Sequence, residues 1–183
     1  MPQLSTLEHD RAPDLVPQVQ AFFEYWKGLR GAELVPTLDT WLTHLTASLA
    51  MHKFRAELHG EDAMVLFSGS ALIARRGRNN TGESLYGMDS RRRAAGMWNL
   101  HQAAAHTCGV ALDIHYLTTA KRPLVTHTLI LPVGVLPGRM PQVIGFSVES
   151  PERQPQEVIA SQGYDHIAQW IDVGAGVPPL PPR

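Results

Sequence analysis

The chain predicts an α+β domain: about five antiparallel strands, helices gathered on one face of the sheet, and amphipathic helices placed before it. Three observations lead there. Apolar residues recur at helical spacing after Pro17; the period drops to two over Met51 to His59 and again beyond Gly109; and one long helical stretch separates the first pair of strands from the later ones. With 183 residues, the chain is long enough to bury one good core and too short for two ordinary domains.

The elements follow in order. Residues 1–16 are polar, interrupted by proline and without a period, and are expected to form a mobile leader. Residues 17–50 hold the N-terminal helices. Pro17 suits a first helical turn, Val19, Phe22, Phe23, Trp26 and Leu29 make an aromatic face, and Gly31 offers a stop. Beyond Pro36, a second helix starts at Asp39 or Thr40 and carries Trp41, Leu42, Leu45 and Leu49.

Residues 51–150 form the core. Over Met51 to His59, Phe54, Ala56 and Leu58 share one face while Lys53, Arg55, Glu57 and His59 share the other, which marks a half-solvated strand. His59-Gly60-Glu61-Asp62 is turn chemistry, so this strand and the one ending near Phe67 should form an antiparallel hairpin. After Gly69 comes a turn or two of helix, closed by Gly77. A longer helix then runs from Asp89 or Ser90 to about Thr107. At about 100° per residue, Ala94, Met97, Trp98, His101, Ala104, Ala105 and Cys108 share one side, so His101 should face inward and His106 outward.

Three more strands are expected. Val110, Leu112, Ile114 and Tyr116 alternate with Ala111, Asp113, His115 and Leu117; Leu124 to Leu131 is a strand ended by Pro132; and Gln142 to Glu149 places Ile144, Phe146 and Val148 on one face. Residues 151–183 are a C-terminal extension. There Tyr164, Ile167, Trp170 and Ile171 are expected to make one amphipathic turn before a Pro-rich tail.

Phe67-Ser68-Gly69-Ser70-Ala71-Leu72-Ile73, followed by Gly77-Arg78-Asn79-Asn80-Thr81-Gly82-Glu83-Ser84-Leu85, resembles the "R-L-V-G-T…G-R-D-L-T-G-R-x-L" signature of a family of small, stand-alone proteobacterial PAS-like proteins. Trp26-Lys27-Gly28-Leu29-Arg30-Gly31, Leu34-Val35-Pro36-Thr37-Leu38-Asp39 and Leu129-Ile130-Leu131-Pro132-Val133 resemble three further stretches of that family, in the same order. The resemblance implies a PAS-type sensor or interaction domain without known chemistry of its own. Because helices before a PAS core often pair between subunits in proteins of this look, it also implies a homodimer contact at Phe22, Phe23 and Trp26, weighed against packing of that face on the chain's own sheet.

Composition narrows the role. A net charge of -1 argues against a nucleic-acid protein whose whole surface is an electrostatic footprint, so no nucleic-acid partner is expected. No stretch approaches a membrane span, and the first residues do not read as a secretory signal, which makes the cytoplasm the expected location. The single Cys108 excludes an internal disulfide framework. Gly-x-Ser-x-Gly, His-Glu-x-x-His and P-loop motifs are all missing, so an enzyme is not expected; a hydrolase built on Ser70 is the weakest alternative.

The candidate site lies between the long helix and the sheet. Met97, Trp98 and His101 from the helix and Leu112, Ile114 and Tyr116 from a strand are expected to line a pocket for a small ligand. His101 on an inner face is also placed to ligate haem iron, although a satisfied core histidine is the commoner outcome. His101 and His106 are roughly 140° apart around the helix and cannot share a metal, so no metal site is expected. Arg78, with Arg91 and Arg92 at a helix start, forms a candidate anion site, weighed against a solvated surface paired locally to Glu83 or Asp89. The leading reading is a sensory module that binds a small ligand or a signalling protein; the runner-up is an interaction scaffold whose cavity is filled by its own side chains.

Overall fold

The computed structural model describes residues 15–44, 46–87, 90–117, 123–150 and 165–178. Its elements are α1 (Pro17–Arg30), α2 (Leu38–Thr43), α3 (Ala47–Ala50), β1 (Lys53–His59), β2 (Asp62–Ser68), α4 (Ser70–Arg76), α5 (Ser90–Ala105), β3 (Gly109–Leu117), β4 (Pro123–Val133), β5 (Gln142–Glu149) and β6 (Asp165–Ile171). All the strands pair antiparallel in one sheet, ordered β2-β1-β5-β4-β3-β6. This is the expected PAS-like α+β architecture with one strand more.

The hairpin forms as its sequence dictates. Gly60, at φ 55, turns the chain so that His59 stands opposite Asp62, and Phe54, Ala56 and Leu58 are buried together. Strand β4 runs through Pro132 to Val133 instead of ending before it. The reason is local: pairing with β3 stops at Ile130, so the N–H that Pro132 lacks costs the sheet no bond on that side.

Period-two alternation divides the core. On the inner face of the sheet, Phe54, Ala56, Leu58, Val110, Leu112, Ile130 and Val143 pack against α4 and α5. On the outer face, Leu129, Leu131, Val133, Ile144, Phe146 and Val148 pack against α1 and α2. The core helices therefore gather on one face, and the N-terminal helices cover the other.

Phe22, Phe23 and Trp26 are spent on that outer core. Phe22 stacks on Phe146 at 4.7 Å, and the Trp26 indole donates to the Pro132 carbonyl at 3.2 Å. Burying each ring is worth about 1.5–3 kcal/mol, so offering them to a second subunit would first require α1 to leave the sheet. Leu15 and Val16, assigned to the leader from sequence, pack against the same cluster. The expected second helix is two: Thr37 caps α2, its hydroxyl accepting from the Thr40 N–H at 3.2 Å, and α3 follows separately, with Leu45 outside the described residues.

Two expectations fail here. The segment read as a helical turn around Ile167, Trp170 and Ile171 is strand β6, which extends the sheet beyond β3. Trp170 points to the inner cluster and Ile171 to the outer one, an alternation of period two that the sparse apolar residues conceal. In addition, Lys53, expected in solvent, is covered by α1 and α2.

Candidate functional site

The inner sheet face carries a row of hydroxyls. Thr126 and Thr128 on β4 and Ser147 on β5 are 1 %, 3 % and 6 % exposed. Thr128 stands opposite Ser147 and donates to its Oγ at 2.9 Å, and the Thr126 and Thr128 hydroxyls are 3.4 Å apart. Arg75 of α4 closes the row: its Nη1 donates to Ser147 Oγ at 3.0 Å, its Nη2 to the Ser147 carbonyl at 3.3 Å, and its Nε lies 3.4 Å from Glu149. The neighbouring Arg76 turns to the other side of β1, donating to Asn80 Oδ1 at 2.9 Å and to Ser68 Oγ at 3.2 Å.

Between these arginines the Phe54 ring lies over Gly145, where a Cβ would come within 2.1 Å of it. Next to the hydroxyl row the face turns apolar. Met97, Leu100, Leu112, Ile130 and Val143 meet there, with Ile114 at the margin. A planar or elongated molecule with one polar edge is the kind of ligand such a half-polar, half-apolar face can hold.

Of the six residues expected to line a pocket, Met97, Leu112 and Ile114 come together in this cluster. Trp98 does not join them; it lies half-buried at the flank, edge-on to Trp170 at 6.1 Å. The Tyr116 side chain lies outside the described residues. His101, expected to face inward, stands at the rim, with Nε2 2.5 Å from the Gly60 carbonyl. A carbonyl only accepts, so Nε2 carries the proton and is engaged with the β1–β2 turn instead of being held for haem iron. The helix is rotated by about 130° from the expected orientation: the buried side is Gly96, Met97, Asn99, Leu100 and Ala103.

Of the anion-site candidates, the structure describes the side chain of Arg78 alone. Arg78 is exposed and paired with Glu83 at 2.5 Å, and the side chains of Arg91 and Arg92 lie outside the described residues. Ser70 is exposed at the start of α4, whereas Ser68 is buried against Asn80. Cys108 is fully buried, and burial first, then the charge of Asp172, pushes its thiol up to about 11. It stays protonated at neutral pH and is a poor nucleophile or ligand. Among the described residues, no three His, Cys, Asp or Glu side chains group as for a metal, and no helix is long and apolar enough to cross a membrane.

The residues missed from sequence are Thr126, Thr128 and Ser147; Arg75 stands out there only as one of a basic cluster with Arg76 and Arg78, not as their partner. A signal was there. Thr126 and Thr128 share the register of Ile130, so the face that buries Ile130 had to bury both hydroxyls as well.

No family model matches the chain, and no curated protein matches its sequence. Among solved structures, the Rhodobacter sphaeroides LOV protein is similar over 60 % of this chain and 64 % of its own, at 13 % identity and a TM-score of 0.44. The light-state dimer of the fungal blue-light photoreceptor Vivid is similar over 78 % of this chain and 100 % of its own, at 15 % identity and a TM-score of 0.46. An RNA-binding light-oxygen-voltage receptor is similar over 86 % of this chain and 41 % of its own, at 16 % identity and a TM-score of 0.45. By element order and antiparallel sheet, the chain has a PAS-like α+β fold.

Proposed function

We propose that the protein is a PAS-like sensory module that takes a small ligand, apolar on one side and hydrogen-bonding on the other, against the inner face of its sheet, and that it acts by binding and not by turnover. The supporting observation is the hydroxyl row of Thr126, Thr128 and Ser147, buried where packing alone would favour aliphatic side chains. Membership of the stand-alone proteobacterial PAS-like family, suggested by the motifs around Gly69 and Gly77, belongs to this proposal. So does the cytoplasmic homodimer, with its contact elsewhere than Phe22, Phe23 and Trp26.

Native mass spectrometry and an absorption spectrum of the purified protein test the reading. The expected result is a co-purifying small molecule that Thr128→Val loses and Thr128→Ser keeps. A bare chain whose melting temperature no small-molecule panel shifts would instead favour the scaffold reading, in which the protein binds only another protein. One observation favours that second reading: Leu100, Leu112 and Ile130 are already fully buried against one another.

A further inference from the structure

Lys53 opens β1 on the outer face, at 2 % exposure. Its Nζ lies 4.3 Å from the ring centre of Trp41 on α2, and 5.2 Å and 5.8 Å from those of Tyr25 and Phe22 on α1. It has no hydrogen-bond partner, and none of the ion pairs among the described residues includes it. Ring faces attract an ammonium, but they do not replace the hydration it loses. The cage is also divided between layers: β1 supplies the cation, and α1 and α2 supply the rings. It exists only while both helices lie on the strand.

We propose that Lys53 is a proton-controlled latch for the N-terminal helical layer: the ammonium weakens the seating of α1 and α2 on the sheet, and loss of its proton seats them firmly. This inference is independent of any ligand on the inner face. The titratable groups around the cage are Tyr25 on α1, His44 at the end of α2, His52 just before β1 and Arg55 on it. The Tyr25 hydroxyl donates to the His44 carbonyl, and β5 contributes only the apolar Phe146 opposite Lys53.

The direction follows from proton linkage. Burial lowers the Lys53 amine to about 8 from the ordinary 10.5. Once the layer opens, the amine returns to its ordinary value. Between these two values the open layer therefore holds a proton that the seated one lacks, and seating strengthens as pH rises through that window.

Hydrogen exchange of the full chain tests the latch, comparing α1 amides with those of β4 after correction for the intrinsic pH dependence of exchange. Wild-type α1 protection is expected to rise about tenfold between pH 7 and pH 9. Lys53→Met should give high protection and Lys53→Arg low protection, both flat with pH, while His44, His52, Tyr25 and Arg55 stay in place. A flat wild-type profile, or a Lys53→Met profile as steep as the wild type, would overturn the proposal.

Discussion

At the scale of single residues, Gly96 decides how close α5 comes to the rest of the molecule. A Cβ placed there would lie 2.2 Å from Cζ of Tyr86, so the ring occupies the space a side chain would need. In an unobstructed helix, alanine is worth up to about 1 kcal/mol over glycine. Here overpacking against Tyr86 outweighs that gain, at about 1–3 kcal/mol. Gly96→Ala is therefore expected to lower the urea midpoint with an unchanged slope; a raised midpoint would mean that Tyr86 yields. The same residue is why the helix orientation differs from the one its apolar pattern predicts. Trp98 carries far more apolar area than glycine or alanine, but it is the small Gly96 and Ala103 that let one side approach, which leaves Trp98 at the flank and His101 at the rim.

At the scale of elements, α4 is too short to be stable alone. It has seven residues and one buried apolar side chain, Leu72, and isolated helices shorter than about 12–15 residues are marginal in water. What holds it is polar. Arg75 reaches Ser147 on β5 and Arg76 reaches Ser68 on β2, on either side of β1, and Gly77, at φ 75, closes the helix in the left-handed conformation. Arg75→Ala leaves the buried Ser147 with one partner fewer and is expected to cost about 1–3 kcal/mol in thermal or urea unfolding. Arg75→Lys should recover only part, since an ammonium cannot span Ser147 Oγ, the Ser147 carbonyl and Glu149 as the guanidinium fork does. The helix and its glycine stop were legible in the sequence. The work of Arg75 was not, because its partner is 72 residues away.

At the scale of the whole molecule, β6 and the residues after it tie the two layers together. Trp170 meets Trp98 on the inner side, Ile171 and Val173 enter the outer core, and Arg30 at the end of α1 donates to the Val173 carbonyl at 2.6 Å. Asp172 accepts from the Gly174 and Gly176 N–H groups and shapes the turn that follows. Removing residues 165–183 would bare the β3 edge, a ready template for pairing with another chain, and would uncover part of both cores. The truncated chain is expected to melt lower and to self-associate, as read by thermal denaturation and light scattering; a monomer with unchanged melting would show that β6 is dispensable.

By itself, the sequence determined the order of elements as far as β5, the β1–β2 hairpin, the glycine stops and the alternation within β1, β3 and β5, because these depend on neighbours a few residues apart: period, caps and turn chemistry. Only the tertiary structure decided that α1 buries its aromatic face on its own sheet, that a lysine lies beneath it, that the C-terminal apolar residues make a strand, and which side of α5 faces in. Those outcomes turn on contacts between residues far apart in the chain, where one glycine under a ring or three rings around an ammonium outweigh the local pattern.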